Sequence, residues 1–240
     1  MSGHSKWSKI KRKKGTADVK RGTLFTKLGK LITMVARDKG GDLDTNFALR
    51  MAVEKARGAN MPKENIERAI KKGIGGTDGE QIQEYIYEGV GPLGSQFIVK
   101  ALSDNRNRSA SEIRHIFSKH GGSLSAVMWN FELKGVIEID KKKLKEKNIK
   151  TDEFELELIE AGADDIKTNE DVIIVLTKAG DLQSVKKFLE EKGVETESAE
   201  IEYAAKEEVE ISESDREKIE SFIEELEDNE DVGDYYTNVK

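Results

Sequence analysis

Four glycines fall within seven residues, Gly73, Gly75, Gly76 and Gly79, and the hydrophobic period changes across them. Before this run, apolar residues recur at helical spacing. From Thr23 to Asp38, the residues Leu24, Phe25, Leu28, Leu31, Ile32, Val35 and Ala36 share one face, with Lys27, Lys30 and Arg37 opposite and Gly40-Gly41 as the stop. A second helix is predicted over Thr45–Arg57, with Ala48, Leu49, Ala52, Val53 and Ala56 inward. A third begins at Pro62, suited to a first helical turn, and runs to Lys72. The glycine run reads as the linker that ends this helical part.

Beyond the linker, short β-like runs alternate with helical ones. Glu84–Glu88 and Gln96–Ser103 read as strands, Ser109–His120 as a helix stopped by Gly121-Gly122, and Ala126–Leu133 as a strand. Strand, helix, strand, strand, helix, strand then follow between about Gly135 and Ala205: Val136–Asp140, Asp152–Ala161, Asp164–Thr168, Val172–Leu176, Leu182–Glu191 and Ala199–Tyr203. That order is ferredoxin-like. A helix at Ser214–Asp228 and a strand at Tyr235–Val239 would complete the interrupted piece before it. The expected fold is therefore α+β: an N-terminal three-helix bundle followed by two ferredoxin-like α/β domains, one inserted in the other. The expected domains are residues 1–77, residues 78–134 with 206–240, and the insert 135–205.

Charge is divided along the chain. Residues 1–75 hold 19 Lys+Arg and 7 Asp+Glu, while residues 76–240 hold 21 and 40. Such asymmetry points to an anionic partner for the basic part. Six of the nine residues from Lys6 to Lys14 are cationic: Lys6, Lys9, Lys11, Arg12, Lys13 and Lys14. Like charges so dense cannot bury, so this arm is expected to stay unfolded without a partner. Lys20, Arg21 and Lys27 extend the strip onto the first helix. Trp7, set among the lysines, either stacks on an unpaired base, which favours RNA, or anchors the arm against the bundle. Arg106 and Arg108 open a predicted helix where Asp104 and Asn105 suit capping; the two arginines could hold phosphate at its free amides.

Other chemistry finds little support. There is no cysteine, hence no disulfide, thiolate site or Cys nucleophile. His115 and His120 are five apart, so a helix does not align them as metal ligands, and His120 beside Gly121 suits a helix end. The run from Gly89 to Gly94 spells G-x-G-x-x-G, but Pro92 and the apolar Phe97-Ile98-Val99 make it a hairpin turn. No P-loop exists, and no nucleophile or carboxylate pair stands out. The expectation is a protein with no cofactor, no metal, no small-molecule substrate and no enzymatic activity. The longest uncharged run, His120–Phe131, has 12 residues, too few to span a bilayer, and no apolar run follows the basic start as in a secretory signal. The expected location is cytoplasmic. A DNA-reading alternative is a helix-turn-helix around Arg57–Met61. Against it, Lys63/Glu67, Glu64/Arg68 and Glu67/Lys71 are expected to pair with one another on the third helix.

Several stretches resemble the YebC/PmpR family, whose mitochondrial relative is the translational activator of cytochrome c oxidase. They are Gly3-His4-Ser5-Lys6-Trp7, Lys20-Arg21-Gly22, Phe25-Thr26-Lys27, Asn60 through Lys72, Tyr87-Glu88-Gly89, Asp104 through Arg108, and Phe117 through Gly122. Arg12 stands where that family often has His, and the loop after Ser123-Leu124-Ser125 is about three residues shorter than its usual pattern. The resemblance implies a helical domain plus two α/β domains, and a non-enzymatic regulator of gene expression. Family members are described as DNA-binding transcriptional regulators, others as acting in translation at the ribosome. With Trp7, this makes ribosomal RNA the favoured partner and promoter DNA the alternative.

Overall fold

The computed structural model describes residues 17–75, 81–146, 151–168 and 171–240. They form two compact units: one runs up to Phe131 and resumes over Ala205–Lys240, the other is Glu132–Ala204.

The first unit opens with three helices, α1 (Ala17–Lys39), α2 (Phe47–Gly58) and α3 (Lys63–Ile74). Their apolar stripes meet in one core: Leu28, Ile32 and Ala36 from α1, Leu49, Ala52, Val53 and Ala56 from α2, and Met61, Ile66 and Ala69. Helix α1 starts six residues before the predicted Thr23. The apolar stripe marks only the part that buries a face, and Ala17, Lys20 and Arg21 are good helix formers that extend it. Asn46 is buried and joins two helix ends. Its Oδ1 accepts from the Leu49 amide at 3.1 Å, and its Nδ2 donates to the Gly40 carbonyl at 2.7 Å. Helices α1 and α3 touch closely at Gly73, where a Cβ would lie 2.4 Å from the Thr33 carbonyl oxygen.

The same unit then forms an antiparallel sheet. Strands β1 (Gln83–Val90) and β2 (Gln96–Ser103) are a hairpin, so the Gly89–Gly94 run is the end of β1 and the turn after it, with Leu93 at φ 59°. Helix α4 (Arg106–Lys119) follows, then the short β3 (Ser123–Leu124). After the second unit come α8 (Arg216–Asp228) and β8 (Val232–Thr237), giving sheet order β3-β1-β2-β8. Helix α4 ends in a Schellman turn: Gly121, at φ +75°, donates to Ser118 O and Gly122 to Phe117 O. The core centres on Phe97, Phe117 and Phe222, with Phe222 edge-on to Phe97 at 4.8 Å and to Phe117 at 4.9 Å.

The predicted strand Ala126–Leu133 is corrected. Residues 126–130 lie outside any strand, and Met128–Asn130 make a 3₁₀ turn. The Glu88 carboxylate takes the Val127 and Met128 amides at 2.8 and 2.7 Å, which removes them from a ladder. Pairing begins at Phe131 in β4 (Phe131–Asp140), which runs through Gly135 without a break. The last strand also ends earlier than predicted, at Thr237, because the Asn238 side chain itself accepts the Gln96 amide at 2.8 Å.

The second unit contains most of β4, then α5 (Lys141–Glu146), α6 (Thr151–Glu160), β5 (Ala163–Thr168), β6 (Val172–Lys178), α7 (Leu182–Glu191) and β7 (Ser198–Ala205). Its sheet order, β5-β6-β4-β7, is ferredoxin-like, and β6 is buried from Val172 to Thr177. Helix α5 has no counterpart in the sequence reading. Its residues, Lys141-Lys142-Lys143-Leu144-Lys145-Glu146, present no apolar period; Leu144 is buried in the core. Among the described residues no helix is long and apolar enough to cross a membrane.

Candidate nucleic-acid interface

Apart from Arg37, Arg50 and Lys63, which have partners close by in sequence or just before β1, the described cations of the helical bundle fall into two sets. Three lysines are bound to the acidic C-terminal segment. Lys27 donates to the Glu227 carbonyl, and Lys30 reaches Asp231 Oδ1 at 2.8 Å and the Glu230 carbonyl at 3.1 Å. Lys55 meets Asp234 Oδ1 at 3.1 Å. The second set points outward. Arg21, Lys39, Arg57, Arg68, Lys71 and Lys72 are exposed and make no ion pair among the described residues.

Of the predicted site residues, Lys6, Trp7, Lys9, Lys11, Arg12, Lys13 and Lys14 lie outside the described residues, while Lys20 falls in the first turn of α1. Arg21 is solvent-facing, whereas Lys27 is held internally. Arg106 is exposed, with its guanidinium carbon 5.9 Å from the Tyr85 ring centroid. Arg108 has structural partners: its Nη2 donates to Asp231 Oδ2 and Asp104 Oδ1, both at 3.0 Å, and to Ser103 Oγ at 3.1 Å. The Asp231 bond and charge raise the Arg108 pKa further. The expectation of free amides at this helix start is corrected. Asn105 Oδ1 accepts from the Asn107 and Arg108 amides at 3.1 Å each, so these two donors are already used.

The expected pairing along α3 is also corrected. Lys63 and Glu67 stand 3.7 Å apart, but neither Glu64–Arg68 nor Glu67–Lys71 is formed among the described residues. The sequence reading therefore missed Arg68, Lys71 and Lys72. The signal was present: Arg68 and Lys72 are like charges at i and i+4, an arrangement that costs helix stability unless an anion offsets it. His120 sits at the α4 end as read, with its Nε2 2.8 Å from Glu225 Oε2. Together with Lys119, it holds the Glu225 carboxyl below the usual carboxylate range. Among the described residues no group of His, Asp and Glu is arranged to hold a metal ion.

Between α1 and α3 lies a groove of about 300 Å³, lined by Phe25, Gly29 and Lys30 on one side, Asn65, Arg68 and Lys72 on the other, and Met61. It joins an apolar floor to part of the outward cation set.

Residues 5–76 match the family described as TACO1/YebC protein N-terminal domain, and residues 82–239 match TACO1/YebC second and third domain. A probable transcriptional regulatory protein of Thermoanaerobacter pseudethanolicus is 46% identical, over 100% of this chain and 97% of that protein. One of Thermotoga maritima is 48% identical, over 99% and 93%. The crystal structure of a conserved hypothetical protein of Aquifex aeolicus superposes with a TM-score of 0.81 at 42% identity, covering 95% of this chain and 94% of that one. The helical bundle and the two antiparallel sheets are thus matched along essentially their whole length, and the chain belongs to the TACO1/YebC family.

Proposed function

We propose that this protein is a non-enzymatic, nucleic-acid-binding regulator of gene expression that acts in the cytoplasm. Its binding surface is the arm of residues 6–14 with Arg21 and the outward cations of the bundle, and its favoured target is a structured RNA such as ribosomal RNA. The observation that carries the reading is the division of the bundle's cations. Lys27, Lys30 and Lys55 are bound by the C-terminal segment, whereas Arg21, Arg57, Arg68, Lys71 and Lys72 are left to an external anion. Cations so placed release counterions when phosphates replace them. Lys27 and Arg108 are left out of this surface because their charges have internal partners; Arg106 and Lys20 remain in it. Trp7 supports RNA, because an indole among cations can stack on an unpaired base, whereas a duplex hides its base faces. A second reading, promoter DNA, is supported by the relatives' names as probable transcriptional regulatory proteins.

The test is removal of residues 1–14. The bundle's buried core begins, among the described residues, at Leu28, so the thermal midpoint should stay within a degree or two while binding to a structured RNA falls at least tenfold. Undiminished binding by the truncated protein would refute the arm's role. Tighter, sequence-selective binding to a DNA duplex than to any RNA would transfer the case to transcription.

A further inference from the structure

The groove between α1 and α3 has features that the bundle does not need for folding. Helix α1 carries Gly29 in its interior, where glycine weakens a helix. At Gly73 the neighbouring helix backbone forbids a side chain, but at Gly29 a Cβ would meet only Met61 Cε, at an ordinary 4.0 Å. Glycine at position 29 thus keeps the groove open instead of letting two helices touch. The polar groups there divide the same way. Thr26 and Thr33 spend their hydroxyls on the carbonyls of Gly22 and Ala69. The Asn65 side-chain amide makes no hydrogen bond among the described residues, although the residue is half-buried. Phe25 is half-buried beside it, and Met61 is buried. At the rim Arg68 and Lys72, one helical turn apart, are exposed and without ion pairs among the described residues.

An aromatic ring, a soft thioether, a free amide and two unpaired cations are the complement of a single nucleotide. The ring offers a face for stacking. An asparagine amide donates one hydrogen bond and accepts another, the pattern presented by adenine N7 and N6. Two cations four residues apart on a helix suit one phosphate. At about 300 Å³ the groove lies at the lower end of the range for small-molecule sites, roughly 300–1,000 Å³. We propose that this groove binds one unpaired adenine of an RNA strand: the base lies on Phe25 and Met61, Asn65 reads its edge, and Arg68 and Lys72 hold its phosphate. The proposal rests on the nucleic-acid reading above and names a subsite within it.

The full chain should be titrated by fluorescence anisotropy with labelled oligoadenylate, oligouridylate and a DNA duplex. Wild type should prefer oligoadenylate over oligouridylate by about tenfold. Asn65→Ala should abolish that preference while leaving oligouridylate binding unchanged. Gly29→Leu should fill the groove and weaken oligoadenylate binding about tenfold, with a thermal midpoint equal to or above that of wild type. Changing both Arg68→Gln and Lys72→Gln should release the one phosphate they hold and lower the salt slope on RNA by about 0.7. If Gly29→Leu fails to fold, Asn65→Ala decides alone. Unchanged oligoadenylate binding in Asn65→Ala, or in a folded Gly29→Leu, overturns the groove. If removal of residues 1–14 still abolishes binding in that case, the wider function stands without it. No RNA binding by the full chain overturns both, and a DNA duplex bound more tightly than either RNA overturns the single-base site.

Discussion

Asp231 ties the helical bundle to the sheet through one carboxylate. Its side chain is 4% exposed and accepts from Lys30 at 2.8 Å, Ser103 at 2.8 Å and Arg108 at 3.0 Å. Burial alone would raise its pKa, but the three donors outweigh burial and hold it below the usual carboxylate range. The sign of the pH dependence follows. The unfolded carboxyl, near 3.9, takes up a proton before the folded one does, so its stabilisation is present above about pH 4 and is lost as the pH falls toward the folded pKa. Asp231→Asn should therefore cost about 3 kcal/mol at pH 7. That is the low end for breaking a buried pair, because Lys30 and Arg108 keep contact with water. Urea unfolding at pH 7 and pH 3 should show the gap between wild type and variant shrinking in acid. A gap that stays constant with pH would mean that charge is not what Asp231 contributes.

At the scale of elements, Gly29 and Gly73 make a matched pair. Both are helical, and by propensity alone alanine would stabilise each by about 0.5–1 kcal/mol. Gly29→Ala should do so, since only Met61 stands near. Gly73→Ala should instead destabilise by about 1–2 kcal/mol, because the new methyl would lie 2.4 Å from a backbone oxygen and 2.8 Å from the Ala36 Cβ, and overpacking outweighs the propensity gain. Equilibrium unfolding of the two variants decides it; two changes of the same sign would contradict the close contact at Gly73. Element identity was legible wherever an apolar stripe faced a core, as with Leu28, Ile32 and Ala36. It failed where side chains took over backbone partners. Val127 and Met128 look like a strand, but the Glu88 carboxylate, about 40 residues away, claims their amides. Asn46 gave no sign that it would bond to two helix ends. In the candidate site the basicity was legible, but its division was not: Lys27 and Glu227 are 200 residues apart, and no local pattern announces their contact.

Across the whole molecule, acidity is concentrated where it docks on the bundle. Residues 205–240 carry 4 Lys+Arg against 14 Asp+Glu. That segment supplies the partners of Lys27, Lys30 and Lys55, so it neutralises one set of bundle cations and leaves the other to act at range. Salt dependence can separate the two sets, because only a cation that displaces counterions from phosphate contributes to the slope. Arg57→Ala and Lys71→Ala should each lower the slope of log K against log salt by about 0.7 on single-stranded RNA, or about 0.9 on duplex DNA, with little change in stability. Lys30→Ala and Lys55→Ala should leave the slope unchanged and lower the unfolding midpoint instead. The Lys55 effect should be the smaller, because its pair with Asp234 is about 30% exposed on both sides and such pairs contribute roughly 0–1 kcal/mol. The size of the loss per cation also reports the ligand, since duplex and single strand condense counterions to different degrees. If Lys30→Ala and Lys55→Ala reduced the slope as much as Lys71→Ala does, the acidic segment would have to leave the bundle when nucleic acid binds, and the cations would form one set instead of two.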